Sequence, residues 1–265
     1  MELELAVLIP LLLAAFVAGL VDSMAGGGGL IQIPALLQVL GNSSYALVFG
    51  TNKLSSIVGT LGAAHRYGRR VQLPWNALLP AIAGALLGAY LGAWALTLIP
   101  VRWLELLVPL LLLLVAWHTY RNKHFGISHQ PLLSAVRERW MGLTLGFGIG
   151  FYDGLFGPGT GSFLLFGFVL LFGFDFLVST ACAKFVNVAC NLAALVRFGM
   201  DGHVWVALGL SMALFNLLGS YVGTSLALVH GAALVRRVLL CVVAVLVTKT
   251  AWQAYSPYLF VPGLQ

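Results

Sequence analysis

Residues 19–37 read GLVDSMAGGGGLIQIPALL, and residues 150–163 read GFYDGLFGPGTGSF. In each, an aspartate (Asp22, Asp153) precedes a glycine-rich break, AGGGG at 25–29 or FGPGTG at 156–161, and an apolar run follows at once. The two stretches lie 131 positions apart, and the same offset carries Lys53 onto Lys184 and Arg66 and Gly68 onto Arg197 and Gly199. It also carries Gly88, Tyr90 and Gly92 onto Gly219, Tyr221 and Gly223. Leucine matching leucine means little in so apolar a chain. Charged residues, a tyrosine and several glycines in one ungapped register, over about 75 residues, mean an internal duplication.

Of the 265 residues, 60% are hydrophobic and 8% charged. Soluble domains carry about 25% charged residues, so the bilayer is the solvent for most of this chain. In hydrocarbon every backbone N–H and C=O needs an internal partner, which leaves helices or closed barrels. The apolar runs are continuous rather than alternating, as at 103–117 (WLELLVPLLLLLVAW), so they are helices. The net charge of +6 sits at the ends of these runs and in two short loops, where it serves orientation. No basic face is long enough to follow nucleic-acid phosphates. Cys182, Cys190 and Cys241 all fall inside apolar runs without metal-ligand spacing and read as small buried hydrophobes. Residues 5–22 lack the basic start of a signal peptide and lead into the repeated motif, so they read as a retained first helix.

Each half divides into five apolar segments: 5–23, 29–41, 45–65, 75–98 and 101–119, then 140–153, 161–174, 176–198, 204–229 and 233–255. Residues 1–120 are thus expected to form a first membrane repeat, 121–139 a polar cytoplasmic linker, and 140–265 a second repeat. A full crossing needs about 20 apolar residues, and the second segment of each half has only about 14. With ten crossings and the N-terminus outside, Arg66, Arg69, Arg70, the linker cations, Arg236 and Arg237 share the cytoplasmic side. Five crossings per half invert the second repeat against the first. An eight-crossing arrangement with two re-entrant hairpins keeps the halves parallel and fits the charges almost as well. The expected fold is an all-α integral membrane protein of two five-segment repeats, inverted, with glycine-rich helix breaks near the midplane.

Lys53 and Lys184 lie well inside the third segment of each half. A lysine at the bilayer centre costs about 2.5–3.5 kcal/mol on insertion scales, so two at matched positions need a reason. One reading is structural: an Asp–Lys ion pair within each half, Asp22 with Lys53 and Asp153 with Lys184. The other is an anion site. Glycine breaks let helices begin inside the membrane with free N–H groups, and helix N-termini attract negative charge. On this reading Gly27, Gly28, Gly159 and Thr160 supply the helix starts, and Lys53 and Lys184 supply the positive charges. Thr51 and Asn52 (with Ser55 and Ser56) supply neutral donors from one half, and Asn187 and Asn191 from the other. Asn187 and Asn191 follow Lys184 by three and seven residues, on one helix face. Asp22 and Asp153 are coupling or structural groups.

The segments GLVDSMAGGGGLIQIPALL, TNKLSS at 51–56, GFYDGLFGPGTGSF and AKFVNVACNLAAL at 183–195 resemble the sulfite exporter TauE/SafE (TSUP) permeases, closest to their YfcA-like branch. The resemblance covers nearly the whole chain in order. It implies a multi-pass permease of the plasma (inner) membrane carrying sulfite, sulfoacetate or another organosulfonate. Cys182 and Ala183 stand where the first half has Thr51 and Asn52, so the two half-sites differ chemically.

A membrane enzyme using the paired Asp and Lys is the main alternative, and a passive anion channel is another. No serine or cysteine nucleophile stands beside a histidine, and no metal-ligand or dinucleotide-binding pattern appears, so no catalytic residue, metal or cofactor is expected. The expected partners are a small anion, the lipid bilayer, a proton or sodium ion for coupling, and no nucleic acid; the sequence is compatible with a homo-oligomer.

Overall fold

The computed structural model describes residues 5–40, 44–96, 126 and 132–259, and among these the regular structure is helical throughout. The first half contributes α1 (Leu5–Ala25), α2 (Gly28–Leu40), α3 (Tyr45–Gly68) and α4 (Trp75–Ala95). The second contributes α5 (Ala135–Leu155), α6 (Thr160–Phe172), α7 (Phe176–Met200) and α8 (Val206–Leu259). The segment expected at 101–119 lies outside the described residues, as does most of the linker. The linker's last residues belong to α5, which starts at Ala135 rather than at 140, with Glu138 in its first turn complementing the helix dipole. The 54 residues of α8 are two helices end to end, because Gly231 is non-helical at φ 64°, ψ −157°.

The helix ends are written locally. Ser44 caps α3 by accepting from the Leu47 N–H, and Asp175 caps α7 by accepting from the N–H groups of Leu177 and Val178 at 2.8 and 2.9 Å. The breaks between α1 and α2 and between α5 and α6 turn through Gly26, Gly27, Gly157 and Gly159, all with φ between 79° and 92°, which only glycine adopts without strain.

Among the described residues, four helices are long and apolar enough to cross a membrane: Val7–Ala25, Trp75–Ala95, Phe176–Met200 and Val206–Val242. They present a lipid-ready surface, with Leu13, Leu87 and Leu214 each more than half exposed. Cys241 is exposed too, which corrects its expected burial; Cys182 and Cys190 are buried. At 13 residues each, α2 and α6 reach about 20 Å, short of a bilayer core of about 30 Å.

Contacts define helix directions. Thr51, Gly59 and Arg66 of α3 meet Trp205, Ser220 and Ser225 in rising order, so α3 runs parallel to the first part of α8. Phe16 and Leu20 of α1 meet Gly219 and Gly223, so α1 is parallel to α8 as well. α1 and α3 therefore run the same way, and α2 carries the chain back between them. By contrast, Gly50 lies against Phe198 and Gly68 against Phe185, so α3 and α7 are antiparallel.

The halves are interwoven rather than set side by side. α4 lies on α5, with Gly84, Gly88 and Gly92 against the backbone of Leu143, Phe147 and Phe151. The same contact recurs where Gly219 and Gly223 meet Phe16 and Leu20 on α8 and α1. Small residues allow such backbone approach, and in lipid this packing replaces the hydrophobic drive that water supplies elsewhere. A Cβ on Gly88 would sit 2.2 Å from the Phe147 carbonyl oxygen, and one on Gly219 1.9 Å from that of Phe16, whereas Gly148 has nothing within 4 Å. Gly88→Ala and Gly219→Ala should therefore each destabilise the protein by about 1–3 kcal/mol, the usual cost of overpacking. Thermal unfolding in detergent should show both effects and no effect for Gly148→Ala.

Candidate functional site

Asp22 stands in the last turn of α1 and Asp153 in the last turn of α5, each just before a glycine break. Lys53 and Lys184 stand inside α3 and α7. The ion pairs they form cross between the halves. Lys184 Nζ donates to Asp22 Oδ2 at 2.7 Å, and Lys53 Nζ donates to Asp153 Oδ2. This corrects the expectation of one pair within each half. The cause is the interweaving: the end of α1 is met by second-half helices, with Ser162 of α6 donating to the Ala25 carbonyl at 2.9 Å and Thr180 of α7 to that of Met24 at 3.3 Å. Tyr67 of α3 donates to the Ser23 carbonyl at 2.8 Å. Three side chains thus satisfy the free carbonyls of a helix that ends away from water.

Asp22 also accepts from the Gly28 N–H at 3.2 Å, so its carboxylate rests on the N-terminus of α2, where the helix dipole favours negative charge. The side chains of Lys53, Asp153 and Lys184 are at most 5% exposed, and that of Asp22 is 17% exposed. Taking an ion out of water costs several kcal/mol after relaxation, so none of these charges is tolerable here without its partner.

Between the pairs lies a cavity of about 20 Å³, enough for a water molecule. Its wall includes Asp22, Asp153, Lys53, Asn52, Asn187, Asn191, Gly27, Gly159 and Thr160, so most of the residues expected to form a site are brought together. Ser56, Thr60, Gly29, Gly157 and Gly161 also line it. Thr60 was readable in the sequence: Ser56 and Thr60 follow Lys53 by three and seven residues, the same spacing as Asn187 and Asn191 after Lys184. Three expected residues sit elsewhere. Lys184 lies behind Asp22, and Gly28 is buried with its N–H on that carboxylate. Thr51 turns away, its hydroxyl accepting from the Trp205 N–H at 3.0 Å at the start of α8. Ser55 is likewise engaged by Gln32, which Asn216 in turn contacts. Asn52 Oδ1 is buried without a hydrogen-bond partner, an acceptor facing a cavity with nothing to donate to it.

A larger cavity of about 810 Å³ opens where α3 ends beside α8 just before its Gly231 break, lined by His65, Arg66, Arg69, Arg70 and Ser225 among others. Arg66 donates to the Tyr221 carbonyl and to Ser225 and lies 4.0 Å over the Tyr221 ring. Its other cations are exposed residues at a helix end, where charge costs little. The small cavity is the candidate site because it holds the charges that are expensive to bury. Among the described residues no cluster of metal-ligating side chains occurs.

Known proteins agree with this picture. A probable membrane transporter, ORF9 of a Sinorhizobium species, is 40% identical over 232 residues, covering 88% of this chain and 87% of its own length. The probable membrane transporter YfcA of Escherichia coli K12 is 32% identical, covering 93% and 90%. A probable membrane transporter of Haemophilus influenzae is 31% identical over 236 residues. No solved structure matches significantly. A buried polar cavity at paired helix breaks, in a chain whose relatives are membrane transporters, defines a membrane transport protein. The sequence model described as Sulfite exporter TauE/SafE matches residues 11–250, and the chain belongs to that family.

The crossed pairing makes a sharp prediction. Removing one partner of a buried pair costs about 3–5 kcal/mol, and removing both costs far less. Lys53→Ala should be rescued by Asp153→Ala and Lys184→Ala by Asp22→Ala, whereas Lys53→Ala with Asp22→Ala should remain unstable. The monodisperse yield from membranes is the readout.

Proposed function

We propose that the protein is a secondary transporter of the plasma membrane for a small sulfur-containing anion, such as sulfite, sulfoacetate or another organosulfonate. The anion binds in the cavity between two inverted five-segment repeats. The observation that carries this reading is the pair of buried lysines beside glycine-initiated helices, with Asn52, Asn187 and Asn191 as neutral groups around them. A sulfonate or sulfite presents three oxygens and a delocalised charge, which suits ammonium groups, side-chain amides and helix N–H groups. The name of the family's sequence model, sulfite exporter, points to the same substrate class.

At about 20 Å³ the cavity is several times too small for sulfite, so binding requires the helices around it to part. The antiparallel course of α3 and α7 supports inverted halves, and the shared direction of α1 and α3 favours ten crossings over re-entrant hairpins.

Two measurements test this reading. In proteoliposomes, labelled sulfite or methanesulfonate flux should saturate and be inhibited by the unlabelled competitor. The Lys53→Ala with Asp153→Ala protein should fold yet carry at least about tenfold less, a loss of roughly 1.4 kcal/mol or more. Wild-type flux that rises linearly with concentration would mean a channel. Separately, in a background with Cys241→Ser, cysteines at Arg70 and Asp201 should be labelled by an impermeant reagent from opposite faces of the membrane. Labelling from one face would mean parallel halves.

A further inference from the structure

The charge count of the cavity has a consequence for what travels with the anion. Lys53, Asp22 and Asp153 line the cavity and Lys184 lies just behind Asp22, each lysine already bound to a carboxylate. The site is neutral before any substrate arrives. An incoming anion therefore displaces a carboxylate from its lysine, and the freed carboxylate becomes a second negative charge in a cavity with room for about one water. Resting on the anion-site reading above, we propose that each monovalent anion is accompanied by one proton, taken up by Asp22, so that the protein moves no net charge.

The two aspartates are not equivalent. The Asp22 side chain is 17% exposed against 3% for Asp153, so Asp22 is the carboxylate that water reaches. Protonated on Oδ2, it releases Lys184 and still accepts the Gly28 N–H through Oδ1. The wall also holds an acceptor that lacks a donor, Asn52 Oδ1. The charged and titratable groups around Asp22 are Lys184 on α7, Lys53 and Tyr67 on α3, and Asp153 on α5. No titratable side chain of α2, α6 or α8 lines the cavity among the described residues.

The cycle balances. A proton from the side to which the site is open joins Asp22, and the anion takes its place beside Lys184. On the far side both leave and the Lys184–Asp22 pair closes again. The membrane potential then neither drives nor opposes transport, and only the anion and proton gradients do.

The test uses the full chain in proteoliposomes at mildly acid pH, with methanesulfonate, isethionate and sulfite as monoanions. Wild-type uptake should move one proton per anion, read by an internal pH dye. A potassium diffusion potential of about 100 mV, inside positive, should accumulate no anion in the wild type. The same potential should accumulate it about 50-fold in Asp22→Asn, the ratio set by one unbalanced charge, with no accompanying proton. Asp22→Glu should keep the proton. Saturable wild-type flux that follows the potential without proton movement overturns the proposal even if Asp22→Asn fails to fold. Asp22→Asn flux that still carries a proton overturns the assignment to Asp22. If none of the three anions shows saturable flux, the anion-transport reading itself fails, and this inference with it.

Discussion

Two buried lysines and two aspartates, one buried and one 17% exposed, impose the constraint on which the remaining structure depends. In hydrocarbon a lone ammonium or carboxylate is too costly to keep, and each must be met by an opposite charge at hydrogen-bond distance. Here the partner always comes from the other half of the chain: Lys184 from α7 reaches Asp22 at the end of α1, and Lys53 from α3 reaches Asp153 at the end of α5. Neither half can bury its own charges alone. The pairs therefore tie the halves together at their most expensive point, and they make the mutual arrangement of α1, α3, α5 and α7 a condition of folding rather than a detail of it.

The remaining contacts serve that arrangement. Glycines on α4 and α8 let α5 and α1 approach to backbone distance, which brings the ends of α1 and α5, with their aspartates, against the opposite half. The carbonyls left free where α1 stops are taken by Tyr67, Thr180 and Ser162, from three different helices. Asn216 bridges the Ala15 carbonyl and Gln32, and Ser220 donates to the Gly59 carbonyl at 2.6 Å. Such side chains are what allow helices to begin and end within a membrane without leaving polar backbone exposed to lipid.

This geometry is closed. The space between the ion pairs holds a water and no more, while the large basic cavity near Arg66 stands apart from it at the helix ends. The short helices α2 and α6 join α1 and α5 through glycines with positive φ.

Much of this was legible in the residues alone. Composition determined a membrane protein, because so apolar a chain has no other solvent, and continuous rather than alternating apolar runs made it helical instead of a closed barrel. The 131-residue offset picked out the paired Asp, Lys and glycine positions, among them Asp22, Asp153, Lys53, Gly157 and Gly159 of the cavity wall, because chemistry repeated at matched positions stands out against leucine. Thr60 was missed, although with Ser56 it stands to Lys53 as Asn191 and Asn187 stand to Lys184. What periodicity could not say was which charge meets which. Within each half the aspartate and lysine are neighbours in sequence, and the pairing by proximity was the wrong one. Only the tertiary structure decided that the pairs cross, since α1 packs on α8 and α5 on α4, leaving each aspartate facing the lysine of the other half. It likewise turned Thr51 toward Trp205 and set Lys184 behind Asp22. A sequence records which groups must find partners, but the choice among partners is made by helix packing, between residues 100 and 162 positions apart.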